Sequence, residues 1–175
     1  RLLAYSSVGH VGYILLGFLA DPVSSSSVVF YYLIAYAASS LGAFAIFRMI
    51  EREQGNLSID SFNGLFKRNP FIAVAMTLAL LSLAGIPPLP GFFGKYLVFA
   101  LAVDHGFVGL VCVAVVTSLI GAYYYFKIII TMFMKEPVGS PAKPSTSENV
   151  LTALLLTLTI IIGIFPNWLI SLIGS

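Results

Sequence analysis

Five long apolar runs, separated by short turns and two polar stretches, make up the chain. The first run covers about residues 2–20 and is closed by Asp21-Pro22 and a short loop over 23–27. The second, about 28–47, is crowded with small residues: Ala35, Ala37, Ala38, Ser39, Ser40, Gly42 and Ala43. Such residues let helix backbones approach closely, which predicts a helix packed on several sides. Residues 48–69 form the longest polar stretch, with Arg48, Glu51, Arg52, Glu53, Asp60, Lys67 and Arg68. An interfacial loop with a short helical start is expected there. The third run spans 70–103, and His105-Gly106 turns the chain into the fourth, about 107–134. A second polar loop over 135–149 carries prolines at 137, 141 and 144; the fifth run is about 150–173, with Pro166-Asn167 near its far end. A helix needs ~20 residues at ~1.5 Å each to cross the hydrocarbon core. Runs of this length fit helical spans and not the short strands of soluble β or α/β folds.

The third run differs from the others. It is 34 residues long with a single charge, Lys95. One straight helix of that length would overshoot the hydrocarbon by about half. Gly85, Pro87, Pro88, Pro90 and Gly91 say where it breaks. Proline removes backbone donors, and Pro87 pushes Ile86 out of the α region, so a first half-helix should stop near Ala84. Pro90 suits the first turn of a second half starting near Gly91. Bare backbone at membrane depth is tolerated only when buried in protein or lining a hydrated cavity. A broken helix with one lysine a turn beyond the break is the architecture of an ion or proton site.

Composition agrees with the pattern. The chain is 59% hydrophobic and 9% charged, with mean hydropathy +0.99, against roughly 25% charged in soluble domains. The fold class is therefore an all-α integral membrane protein. It is expected to form one membrane domain of about five transmembrane helices, the third discontinuous at Gly85–Gly91. A net charge of +2 does not suggest nucleic acid. The lone cysteine, Cys112, lies in an apolar run, which excludes a disulfide or a cysteine-rich metal site within the chain. The opening Arg1-Leu2-Leu3 has neither an initiator methionine nor a signal peptide, the expectation being a split or partial chain.

Charge also sets orientation. With five spans, the amino terminus and the two long polar stretches share one face, which holds Arg1, Arg48, Arg52, Lys67, Arg68, Lys135 and Lys143. The other face holds only Asp21 and Asp104. Loops rich in Lys and Arg stay on the cytoplasmic or matrix side, so the chain should start there and end on the opposite side.

Two of the nine basic residues remain inside spans, Lys95 and Lys127, while all seven acids (21, 51, 53, 60, 104, 136 and 148) fall outside. Charge at membrane depth costs several kcal/mol and marks function. A lysine that passes between charged and neutral forms is what a proton relay requires. The competing reading holds Lys95 permanently charged against upturned carbonyls at the break. Lys127, about two turns before Lys135, suits either a relay or snorkelling to the interface. Tyr124 and Tyr125, in the run Tyr123-Tyr124-Tyr125, are candidate relay hydroxyls or members of an interfacial aromatic belt. His10 lies mid-span among Ser6, Ser7, Tyr5 and Tyr13, and its two ring nitrogens suit it to pass a proton or to sit as a hydrogen-bonded core residue. His105 belongs to a surface turn and is taken as incidental. No glycine-rich nucleotide motif, P-loop or metal-ligand spacing is present, so NADH, flavin and iron–sulfur clusters have no binding motif in this chain.

These residues carry a resemblance. Arg1-Leu2-Leu3-Ala4-Tyr5-Ser6-Ser7 with His10 and Gly12-Tyr13, the run Leu83-Ala84-Gly85-Ile86-Pro87-Pro88 with Gly91-Phe92-Phe93-Gly94-Lys95, and Tyr123-Tyr124-Tyr125 follow one another from the first span to the fourth. In order and spacing they resemble the antiporter-like membrane subunits of respiratory complex I (NADH:quinone oxidoreductase), nearest the branch of subunit 2, subunit N in bacteria. By that resemblance the five spans are the carboxyl-terminal helices of such a subunit, the second of two inverted repeats without its first helix. Lys95 then corresponds to a proton-channel residue of the family's second broken helix, and His10 to its tenth-helix histidine. The resemblance implies a non-redox, proton-translocating subunit that couples quinone reduction to proton pumping. NADH, FMN, iron–sulfur clusters and quinone are then expected in partner subunits. About nine further helices are expected from a separate or preceding portion, with lipid and other membrane subunits as partners. The membrane would be the bacterial plasma membrane or the mitochondrial inner membrane. Multi-subunit cation/proton antiporters share the fold and are the alternative; a module in which the broken helix serves packing alone is a third reading.

Overall fold

The computed structural model describes residues 2–21, 25–55, 58–137 and 144–173. Arg1 and Lys143 of the cation count, residues 22–24 of the first loop, and Pro141 lie outside the described residues. The elements are α1 (Leu2–Ala20), α2 (Ser26–Gln54), a 3₁₀ turn (Ile59–Phe62), α3 (Leu65–Arg68), α4 (Pro70–Ala84), α5 (Pro90–Asp104), α6 (Val108–Met134), α7 (Thr146–Ile164) and α8 (Pro166–Ile173). No strand occurs among the described residues. Helices α1, α2, α6 and α7 are each long and apolar enough to cross a membrane. Helices α4 and α5 have 15 residues each, or ~22 Å of rise against ~30 Å of hydrocarbon. Neither reaches across alone.

Local chemistry explains the helix ends. Asn69 caps α4 by accepting from the Ile72 N–H, with Pro70 in the first turn, where its missing donor costs nothing. The helix stops at Gly85, whose φ of 87° is the left-handed region that glycine adopts freely. Helix α2 ends at Gly55 in the same way.

Three boundaries differ from the sequence expectation. Helix α2 runs to Gln54, well past 47, so the short helical start expected of the polar stretch is a direct continuation of α2. The cause is packing: Met49 and Ile50 are buried against Phe62 and Leu65, extending the apolar stripe beyond the membrane run while the charges point outward. Helix α7 begins at Thr146 and not at 150, because Ser145 and Glu148 form a capping box. Its far end is not one helix either: Pro166 opens a separate helix, α8, after a break at Phe165.

Helix α2 is the packing centre and touches α1, α4, α5, α7 and α8. Its small residues Ala35, Ala38, Ser39 and Ala43 are buried. One core cluster joins Ala43, Ile46 and Ile50 of α2 to Ile72, Met76 and Leu80 of α4 and to Tyr125, Ile128 and Met132 of α6. Ion pairs gather at one end of the bundle: Arg52–Glu148 at 2.8 Å, Lys67–Glu136 at 3.0 Å and Lys135–Asp60 at 3.6 Å. They tie the ends of α2, α3 and α6 to the start of α7 and the 3₁₀ turn. At the opposite end His105 lies 3.9 Å from Asp21.

Candidate functional site

The site is built on the break between α4 and α5. In an unbroken helix the carbonyls of Leu83 and Ala84 would accept from the N–H groups of residues 87 and 88. Both are proline and have no N–H. Two carbonyls are thereby left open at membrane depth, where water cannot pair them. Lys95, one turn into α5, folds back and donates from Nζ to both, at 3.0 Å each. Its third donor goes to the Ser118 hydroxyl of α6 at 2.7 Å. Lys95 is only 7% exposed, and no carboxylate is among its partners.

The close approach of the half-helices depends on Gly91. A Cβ there would stand 1.8 Å from the Ser82 carbonyl oxygen. Ser82 closes the gap: its hydroxyl accepts from the Gly91 N–H at 3.2 Å and from the Ser39 hydroxyl of α2 at 2.7 Å. Gly85, Ile86, Pro87, Pro88 and Leu89 form the connection, with Pro90 in the first turn of α5.

His10 of α1 is 5% exposed and meets Tyr13, the ring beneath Lys95, edge-on at 5.7 Å. Its Nδ1 is 2.7 Å from the Tyr32 hydroxyl, and its ring stacks on Tyr36 at 4.6 Å. Tyr13, on the same helix, lies under Lys95 with Nζ 5.6 Å from its ring centre, and its hydroxyl is 3.2 Å from Thr117 Oγ1. Nearer the ion-paired end, the Ser7 hydroxyl donates to the Ala4 carbonyl, and buried Tyr125 takes a hydrogen bond with Ser6. Ser6, His10 and Tyr13 all belong to α1, which therefore meets Tyr125 of α6 at Ser6, Tyr32 of α2 at His10 and Lys95 of α5 at Tyr13.

The structure thus sets Lys95 and Tyr125 against α1, the helix that carries His10, and leaves two other candidates exposed. Tyr124 is exposed and meets Tyr123 edge-on at 5.3 Å. Lys127 is exposed and lines an open hollow with Asp60, Phe126 and Lys135. Sequence reasoning did not single out Ser82, Ser118 or Tyr32. For Ser118 a signal existed: Val111, Ala114, Ser118 and Tyr125 fall on one helical stripe, three to seven residues apart. What the stripe faces is not written in its spacing.

The profile of the family described as NADH:quinone oxidoreductase/Mrp antiporter, TM, matches residues 1–121. Among curated relatives, the NADH-quinone oxidoreductase subunit N of Cytophaga hutchinsonii is 40% identical over 173 residues, covering 98% of this chain but 38% of the relative. A chain of respiratory complex I from Thermus thermophilus with bound Aureothin superposes with a TM-score of 0.85 at 31% identity, over 98% of this chain and 39% of that one. A chain of the Mrp complex from Dietzia sp. DQ12-45-1b gives 0.88 at 24% identity, over 98% and 41%, a likeness of fold alone. The sequence spans little more than a third of the curated relative it matches. With well over half its residues matched by the family profile, this chain belongs to the NADH:quinone oxidoreductase/Mrp antiporter transmembrane family.

Proposed function

We propose that the chain is the carboxyl-terminal membrane portion of a subunit-N-like component of NADH:quinone oxidoreductase, and that Lys95 is a proton-exchange site within it. The observation that carries this reading is the burial of Lys95 at a broken helix with no carboxylate to lock it as an ion pair; its two carbonyl contacts are those of the permanently charged alternative, which the test below separates. Similarity to subunit N over nearly the whole chain supports the assembly. In this reading the component is non-redox: NADH, FMN, iron–sulfur clusters and quinone belong to partner subunits. Upstream helices, about nine by family resemblance, supply the other half of the path. His10 and Tyr125 serve as relay groups along α1, and Lys127 stands towards the ion-paired end of the bundle. That end, with Arg48, Arg52, Lys67, Arg68 and Lys135, faces the cytoplasm or matrix.

The test is Lys95→Arg beside Lys95→Ala in the full-length subunit within its assembled complex, scored by NADH:quinone turnover and proton uptake in membrane vesicles. Arginine keeps a charge but does not deprotonate in proteins. Both variants are expected to lose pumping, with turnover falling alongside. Wild-type rates in Lys95→Arg would show that charge alone suffices and overturn the proton role. A cation/proton antiporter subunit is the second reading, favoured by the family description, which names the Mrp antiporter beside the oxidoreductase. Sodium-dependent exchange by the purified parent complex without quinone reduction would select it.

A further inference from the structure

We infer that Ser118 is a positioning residue for proton exchange at Lys95, because its hydroxyl is the one partner of Nζ that can reverse its hydrogen bond when the lysine changes protonation state. The inference rests on the proton role proposed for Lys95. An ammonium has three donors and no acceptor. Here they go to the Leu83 carbonyl, the Ala84 carbonyl and Ser118 Oγ. When one proton leaves, Nζ keeps two N–H groups and gains a lone pair. The carbonyls can only accept, so they hold the two N–H groups that remain. A third carbonyl would then face the lone pair and repel it. A hydroxyl donates as well as accepts. Rotation of its hydrogen turns the 2.7 Å N–H···O contact into O–H···N without moving a heavy atom. Among the described residues, Lys95 is the only hydrogen-bond partner of the Ser118 hydroxyl, so no other acceptor competes for its hydrogen. Either protonation state of Nζ is therefore fully paired at a depth where water is scarce.

The surroundings leave this role to Ser118. Helix α1 faces Lys95 with Tyr13, whose ring His10 meets edge-on. Tyr32 of α2 packs on Gly94 and bonds His10. Helix α4 presents carbonyls, and α6 presents Thr117 and Ser118. The Thr117 hydroxyl donates to the Ala114 carbonyl and bonds Tyr13, so it is already engaged. Ser118 is half-buried, so part of its side chain borders open space.

That room permits a matched pair of variants. Ser118→Thr keeps the hydroxyl; Ser118→Val has threonine's shape without it. Both are made in the full-length subunit within its assembled complex, beside Lys95→Arg, with rates normalised to assembled complex. Ser118→Thr is expected to pump and turn over near wild type with an unchanged pH profile. Ser118→Val is expected to fall about tenfold, the size of one lost hydrogen bond to a charged group, and to show a displaced pH profile. Equal rates and profiles for threonine and valine, with Lys95→Arg inactive, would overturn the role of Ser118 and leave that of Lys95 standing. Wild-type rates in Lys95→Arg would remove the proton role and this inference together.

Discussion

A methyl group at residue 91 would stand 1.8 Å from a backbone oxygen of α4, a contact that only a shift of one half-helix can relieve. Gly91 therefore sets the separation on which the reach of Lys95 to the Leu83 and Ala84 carbonyls depends. Gly91→Ala is expected to destabilise the subunit by ~1–3 kcal/mol through overpacking. Gly109→Ala, where a Cβ meets nothing within 4 Å, should be close to neutral. Thermal denaturation of the full-length subunit compares the two, and equal midpoints would show that the half-helices have slack. At this scale Lys95 and its open carbonyls were legible in the sequence, since the spacing from 83 and 84 to prolines 87 and 88 is a covalent fact. Ser118 was not, because a serine 23 residues away meets Lys95 only through the rotation of α6 about its own axis.

Among the elements, the break is held by a polar stitch and not by apolar contact alone. The Ser82 hydroxyl joins the last turn of α4 to the first turn of α5 through the Gly91 N–H, and to α2 through Ser39. Ser82→Ala would leave the buried Gly91 N–H without its acceptor, while the Ser39 hydroxyl keeps the Ala35 carbonyl. The expected cost is about 1–3 kcal/mol. Because Ser39 and Ser82 share one bond, Ser39→Ala should cost less in the Ser82→Ala background than alone. Additive effects in that double-mutant cycle, measured by thermal denaturation of the full-length subunit, would show that the stitch carries no energy. Hydropathy placed the break but not the true ends of α2 and α7. Met49 and Ile50 extend α2 because they find a core to enter. The capping box at Ser145 starts α7 early, inside what reads as a polar loop.

In the whole molecule, charge is sorted to one end of the bundle. Arg52, Lys67 and Lys135 pair there with Glu148, Glu136 and Asp60, while Asp21 and His105 meet at the other end. The ends are expected to face opposite sides of the membrane. Ser58→Cys and His105→Cys, both at exposed positions, should react with impermeant thiol reagents from opposite sides in oriented vesicles, Ser58→Cys from the cytoplasmic or matrix side. Ser25, in the first turn region, is fully buried and would report poorly. Labelling of both cysteines from one side would contradict the arrangement. Much of the surface of α6 is apolar and exposed, with Val113, Val116, Leu119 and Ile120 all outward. A surface of that kind is stable against lipid or other helices and not against water.

By itself the sequence determined the membrane class, the interruption at Gly85–Gly91 and the presence of one lysine beside it. These follow from hydropathy, proline's missing donor and glycine's backbone freedom, which act along the chain over a few residues. Tertiary structure alone decided which groups meet that lysine. Nζ finds Ser118 on α6, and His10 finds Tyr32 and Tyr36 on α2, across separations of 22 residues or more. The physical reason is that helix rotation and crossing are set by side-chain packing summed over whole interfaces. A shift of one residue in any of those interfaces would present a different hydroxyl to the same lysine.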